Sequence, residues 1–441
     1  MSCINVPRLV AIVAIVLTSS ATLDRAWSQA PVITAEDADA GESPFADDMD
    51  NDSSVVDTAD YTCGCDNLSC LGDCGGDGSR TWVTADYLLW WTKGNQLPAL
   101  VTTSPAGTPQ ANAGILGVAG TQTLFGGDKI ADDQRSGLRI NFGRWLDDSQ
   151  QTGIEANYFS VFNDGSTNNF FRQTTGGAGS GSPILARPFF DVNANLENAR
   201  LASFPGIADG SITVASSSEL HSVGLLLRHR LRSGSRGRID VLGGYRYLRF
   251  REGLRIDENF VSTGAGGGIA VGTAIDVYDL FETKNEFNGG ELGLAAKFDH
   301  DNWGLELLGK VALGNIHRTV NINGATTTTT PAPGSTTNTA TGGLLALPSN
   351  IAQTTENDLA VLPEFGANLT LDLNDCLQLR AGYTILVLNN VARTGDQIDR
   401  SINTNLIPGG SGAGPASPSH PRHELSDFWA QGLNFGLTGR F

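Results

Sequence analysis

From residue 81 to residue 441 the chain keeps returning to one pattern, apolar and polar side chains in alternation. Successive side chains point to opposite faces in a β-strand, so a period of two selects strands over helices. TWVTADYLLWW sets Val83, Ala85, Tyr87, Leu89 and Trp91 against Thr84 and Asp86. LRINFGRWL sets Leu138, Ile140 and Phe142 against Arg139 and Asn141, and GIEANYF sets Ile154, Ala156 and Tyr158 against Glu155 and Asn157. WGLELLGKVALG sets Trp303, Leu305, Leu307, Val311 and Leu313 against Glu306 and Lys310. LQLRAGYTILVL repeats the pattern, with Arg380 on its polar face. The expected class is all-β.

Alternation fits a soluble sandwich with one wet face equally well. Three features select a transmembrane barrel. Aromatic residues (Trp82, Trp90, Trp91, Trp145, Tyr158, Trp303, Trp429) stand at strand ends, as interfacial girdles require. Long connections (92–135, 164–218, 252–275, 324–357, 390–428) alternate with short ones (147–152, 232–237, 299–302, 373–375). Bacterial barrels show that asymmetry, with short periplasmic turns and long outer loops. Finally, WAQGLNFGLTGRF puts Trp429, Gln431, Leu433, Phe435, Leu437 and Phe441 on one face and terminates on an aromatic. A last strand ending in Phe resembles the assembly signal read by the barrel-insertion machinery, so Phe441 is the candidate assembly residue.

The expected architecture is an antiparallel up-and-down barrel of about 10–12 strands with long extracellular loops. Ten strands are predicted, near 80–91, 136–146, 153–163, 219–231, 238–251, 276–298, 303–323, 358–372, 376–389 and 429–441. The segments 276–298 and 303–323 exceed the ~9–11 residues of one crossing. Either they project beyond the membrane, or a turn near Asn288-Gly289-Gly290 raises the count to twelve. The outer loops read as polar and unable to build a core, above all 324–343, GATTTTTPAPGSTTNTATGG. The 92–135 loop is more apolar and is expected to fold back into the barrel mouth.

Composition agrees. Gly supplies 54 of 441 residues, charged side chains only 17%, and the mean hydropathy is -0.12. No apolar run reaches the ~18 residues of a spanning helix. Residues 1–30 read as a signal peptide, with Arg8, the run LVAIVAIVL and a Ser28-Gln29-Ala30 cleavage site. Residues 31–79 carry thirteen Asp or Glu and no Lys or Arg, a composition expected to leave a disordered periplasmic segment. Residues 80–441 are the barrel. A net charge of -18 excludes nucleic acid as a partner, because duplex binding rests on Lys and Arg neutralising phosphates.

Cys63, Cys65, Cys70 and Cys74 crowd into CGCDNLSCLGDCGG. Zinc knuckles use paired C-x2-C spacings, which this string lacks; an exported chain favours local disulfides, with metal the rival reading. Six histidines are scattered through the chain, His317 being the one near a barrel rim, and no G-x-S-x-G or H-E-x-x-H string occurs. Neither catalysis nor a cofactor or catalytic metal is expected. The informative constellation faces the lumen: Asp86, Arg139, Glu155, Asp240, Arg246, Glu291, Glu306, Lys310, Glu364 and Arg380 by parity. Such charges either line a water-filled pore or pair into a network that fills a narrow barrel. Six acids against four bases would favour cations if the barrel conducts.

WVTADYLLWWTKGNQLPALVTTSP, RSGLRINFGRWLDD, GRIDVLGGYRYL, FETKNEFNGGELGL, AVLPEFGANL, LRAGYTILVLNNVARTGDQID and FWAQGLNFGLTGRF together resemble the putative beta-barrel porin family numbered seven. The resemblance runs in order from about residue 80 to 441. It implies a bacterial outer-membrane barrel and supplies no catalytic residue. The expected function is that of a narrow porin-like channel with no catalytic activity, in contact with outer-membrane lipid and passing small solutes or ions. The alternative is a surface-exposed envelope protein whose closed barrel is only an anchor.

Overall fold

The computed structural model describes residues 79–162, 170–174, 184–234, 236–264, 269–419 and 424–441. The signal and acidic segments, with their four clustered cysteines, lie outside the described residues, as do His420 and His423.

Ten antiparallel strands form the wall: β1 (Thr81–Thr92), β2 (Gln134–Trp145), β3 (Thr152–Val161), β4 (Ala208–Gly234) and β5 (Gly237–Ser262). They continue as β6 (Ala274–His300), β7 (Trp303–Thr329), β8 (Ala352–Asn374), β9 (Leu377–Val391) and β10 (Ser426–Arg440). Each strand pairs with the next, and β10 pairs back to β1 from Trp82 opposite Arg440 to Thr92 opposite Ala430. Closure leaves no strand edge in lipid, where unpaired backbone groups would find no water.

No turn interrupts β6. Its register against β5 and β7 runs unbroken through Asn288, Gly289 and Gly290. Gly289 serves close packing instead: it stands opposite Gly314, and a Cβ on Gly314 would lie 2.3 Å from the Gly289 Cα. The long strands therefore project. On β7 the outward Trp303, Leu307, Val311 and Leu313 are exposed, and beyond them Asn315 and His317 begin a polar outer wall. The stretch 303–313 matches one membrane crossing. Above it, outward groups bridge strands, as in Tyr247 Oη to Glu286 (3.0 Å) and Asn321 Nδ2 to Glu282 (2.9 Å).

Two expectations fail in detail. Of the seven girdle aromatics, Trp91, Tyr158, Trp303 and Trp429 share the outward parity, whereas Trp82, Trp90 and Trp145 point inward. Trp90 is fully buried and donates its indole N–H to Asn434 (2.9 Å). Nor is 324–343 a structureless loop. β7 continues to Thr329, and Thr337–Thr341 pairs back on it through hydroxyl contacts Thr327–Thr339 (2.9 Å) and Thr329–Thr337 (3.2 Å). The threonines replace a core with cross-strand hydrogen bonds.

The remaining segments fold inward at the extracellular end. Leu97, Leu100 and Val101 from the 92–135 connection join Leu185, Phe189, Leu344 to Leu347, Ile398 and Ile402 in one buried cluster. That cap packs on the inner faces of the projecting strands, against Ile212, Val214, Leu254, Ile256, Phe281 and Ile322.

Candidate functional site

All ten charged positions read from parity lie on the inward face, and each has an ionic partner there. They form three groups. Deepest, Glu364 faces Arg246 (3.0 Å) and Lys310 (3.2 Å), with Arg139 at 3.8 Å, and Glu291 faces the same Arg246 (3.3 Å) and Lys310 (3.3 Å). Arg380 reaches Glu306 (2.9 Å) and Asp86 (3.7 Å). Nearer the short turns, Arg228 bridges Glu155 (2.6 Å) and Asp240 (2.8 Å), and Asp240 also faces Arg238 (3.4 Å) and Arg230 (3.9 Å).

Arg228, Arg230 and Arg238 are absent from the sequence-derived set, and they change its sign. With them the networks hold seven cations (Arg139, Arg228, Arg230, Arg238, Arg246, Lys310, Arg380) and six anions (Asp86, Glu155, Asp240, Glu291, Glu306, Glu364). The excess of acids expected from parity is not there. Leu225-Leu226-Leu227 hid these arginines, because an inward leucine next to outward ones erases the alternation just before Arg228.

The ion pairs surround a cavity of about 420 Å³ that reaches from Ser79 and Arg440 at the short-turn end up to Glu364 and Thr384. Its aromatic wall is the pair Trp82–Trp145, ring centroids 5.4 Å apart. Gly143 is required beneath it, since a Cβ there would lie 2.0 Å from the Trp82 ring.

Above the charges the lumen is dry. Leu88, Trp90, Phe159, Val161, Leu248, Phe250, Phe287, Ile316, Leu362, Leu386, Leu388 and Phe428 meet across it, none more than 2% exposed. The layer rests on the charges beneath, with the Arg139 guanidinium 5.2 Å from the Trp90 ring and that of Arg246 5.4 Å from Phe159. Phe250 and Phe428 stack at 4.0 Å. The sequence carried a signal for this layer that parity reasoning passes over: in Leu88-Leu89-Trp90-Trp91 and Ile385-Leu386-Val387-Leu388 both faces are apolar. A lipid-facing strand with a wet lumen has no reason for that.

Two buried ionic clamps hold the cap over this layer. Arg393 forks onto Glu252 through Nε and Nη2 (2.8 Å each), under Lys93's carbonyl (3.0 Å). Arg187 donates to Asp279 (2.6 Å) and faces Glu258 (3.4 Å). The other Asp279 oxygen accepts from the backbone N–H groups of Leu344, Leu345 and Ala346 (3.0, 3.1 and 2.8 Å). In the cap, burial pushes the Asp396 carboxyl above its ordinary range although Ser426 hydrogen-bonds it.

Phe441 stands at the seam. Its N–H donates to the Thr81 carbonyl (2.8 Å) and its carbonyl accepts from the Thr81 N–H (3.0 Å). His317 faces outward on β7, bonded to Asn357 (3.0 Å), away from the cavity. Cys376 is half-buried beside the β8–β9 turn and donates its backbone N–H to the Asn374 side chain (3.0 Å).

The model of the Putative beta barrel porin-7 family matches residues 82–441. The chain belongs to this family. The match begins at the first residues of β1 and ends with Phe441, so the family is the barrel with its cap. No curated protein sequence matches the chain. Among solved structures, the outer-membrane protease OmpT of Escherichia coli is similar at 9% identity and TM-score 0.38, covering 82% of this chain and 97% of its own. The TodX deltaS2S3 mutant monoaromatic hydrocarbon channel follows, at 10% identity and TM-score 0.19, covering 85% and 94%. The Ralstonia pickettii toluene transporter TbuX has 10% identity and TM-score 0.15, covering 82% and 90%. This porin-7 member is an outer-membrane β-barrel, and likenesses so distant add nothing about what it carries or cleaves.

Proposed function

We propose that this family member is a closed outer-membrane barrel that anchors a folded extracellular cap, without catalytic activity and without an open pore at rest. The observation that carries the reading is the dry layer: Phe250, Phe287, Phe428 and their neighbours fill the lumen between the charged cavity and the cap. An ion crossing that layer loses its hydration without a compensating partner, which costs several kcal/mol or more. Interiors of eight-stranded barrels are just filled by side chains, and aqueous channels appear at about sixteen strands, so ten strands fit a filled lumen. The charges below support the same reading, since each is held in an ion pair with its neighbours.

A non-catalytic role is supported by where the histidine singled out at the rim lies: His317 is on the outer wall, bonded to the Asn357 amide and opposite Glu286, away from the cavity. A second reading has one specific observation in its favour. The cavity already spans the periplasmic half of the lumen, so displacing the cap and the aromatic layer would complete a narrow path. Liposome swelling separates the two. Vesicles bearing the protein should swell in isotonic arabinose no faster than empty vesicles. Swelling in proportion to the amount of inserted protein would favour the channel.

A further inference from the structure

LRHRLRSGSRGR places five arginines and no acid between residues 228 and 238. The β4–β5 hairpin folds this run so that Arg228, Arg230 and Arg238 share the inner face around Asp240. Aromatic rings hold them in position: Arg230 lies 4.8 Å and Arg238 5.9 Å from the Trp145 centroid, and Arg228 5.7 Å from Trp82. Three guanidinium groups share two carboxylates, Glu155 and Asp240. The Nε of Arg228 is buried without a hydrogen-bond partner, and those of Arg230 and Arg238 face Asp240 only at 3.9 and 3.4 Å, too loosely for a hydrogen bond. An arginine carries five N–H donors in a fixed fork, so this corner has donors and positive charge to spare.

We propose that the periplasmic vestibule is a binding site for a small, multiply charged oxyanion, with Arg228 and Arg238 on its wall and Arg230 adding charge behind them across Asp240. The cavity of about 420 Å³ falls within the range of small-molecule sites. Eight Lys or Arg and six Asp or Glu line it. Its occupant comes from water, because the adjacent outward residues Leu227 and Ile239 face lipid and the wall stands between them and the cavity. At the hairpin tip Arg232 and Arg236 are exposed and have no acidic partner among the described residues, which draws anions to the mouth. The site goes beyond the closed-barrel reading and stands whether or not the barrel conducts.

Titration of the full-length protein in detergent with inorganic pyrophosphate, followed by calorimetry and tryptophan fluorescence, tests it. Saturable binding is expected, weakened about tenfold or more by Arg228→Gln with Arg238→Gln, since each removes a charge-assisted hydrogen bond. Arg232→Gln with Arg236→Gln should change affinity by less than about threefold, because exposed charges are screened at moderate salt. Heat-modifiable migration checks that each variant is folded. If the neutral pair does not fold, Arg228→Lys with Arg238→Lys keeps both charges and should still lose about threefold through the missing fork. Absence of saturable binding in the wild type overturns the proposal. So does an equal loss from the vestibule and tip pairs, which would mark a diffuse basic surface, or an unchanged affinity in the lysine pair.

Discussion

Glu364 is the residue on which the interior depends most. It faces three cations, Arg139, Arg246 and Lys310, all at most 8% exposed. Glu364→Gln keeps the shape, leaves Arg246 and Lys310 to Glu291, and removes the ion pair of Arg139. Breaking a buried pair by removing one partner costs about 3–5 kcal/mol, so the variant should unfold at markedly lower urea in vesicles. A loss under about 1 kcal/mol would mean that water already screens the site. Leu307 tests the opposite face of the same wall. It is 42% exposed on the outward side of β7, and Arg at mid-depth in lipid costs about 2–4 kcal/mol. Leu307→Arg should be destabilising to that extent in refolding titrations; a neutral result would place β7 outside the membrane. Parity alone puts both residues on the right faces. It could not show that Arg228 and its neighbours outweigh the acids, because Leu226 is apolar on the inside as well.

At the scale of elements, the period-two signal was clear only where the two faces meet different solvents. The belt segments of β7 to β10 have lipid outside and polar groups inside, and there the boundaries were readable. The projecting half of β4 reads ADGSITVASSS, where small and polar residues outnumber the inner Ile212 and Val214 that meet the cap, and its outer wall meets water. That is why the 164–218 and 252–275 connections looked longer than they are. The β2–β3 turn offers a pH test. Asp147 accepts from the Ser149 hydroxyl and from the backbone N–H groups of Gln151 (2.8 Å) and Thr152 (2.7 Å). These bonds, that of Ser149 first, hold its carboxyl at about 2, below the usual value of 3.8. A depressed carboxylate stabilises the folded turn above its unfolded value and loses that contribution as pH falls through the folded one. Amide exchange at Gln151 and Thr152, corrected for intrinsic rates, should therefore speed up between pH 4 and pH 2. Asp147→Asn should remove the pH dependence. An unchanged profile in that variant would refute the assignment.

The whole molecule is a closed ring, and closure is its least local property. β1 and β10 are joined by hydrogen bonds that end on Thr81 and Phe441. Deleting Phe441 should leave the seam short of two backbone hydrogen bonds and lower the folded, protease-resistant fraction in the outer membrane; normal levels would deny it an assembly role. The filled lumen is likewise a property of the whole, because twelve or more apolar side chains from different strands meet only after closure. A charge census cannot register that layer, because its members carry no charge.

Planar-bilayer recording measures this directly. Wild-type protein whose insertion is verified should show no steady single-channel conductance above the bare membrane at moderate voltage. Replacing the stacked pair, Phe250→Ala with Phe428→Ala, should introduce a small one by opening the dry layer. Stable, salt-proportional conductance in the wild type would contradict the closed barrel.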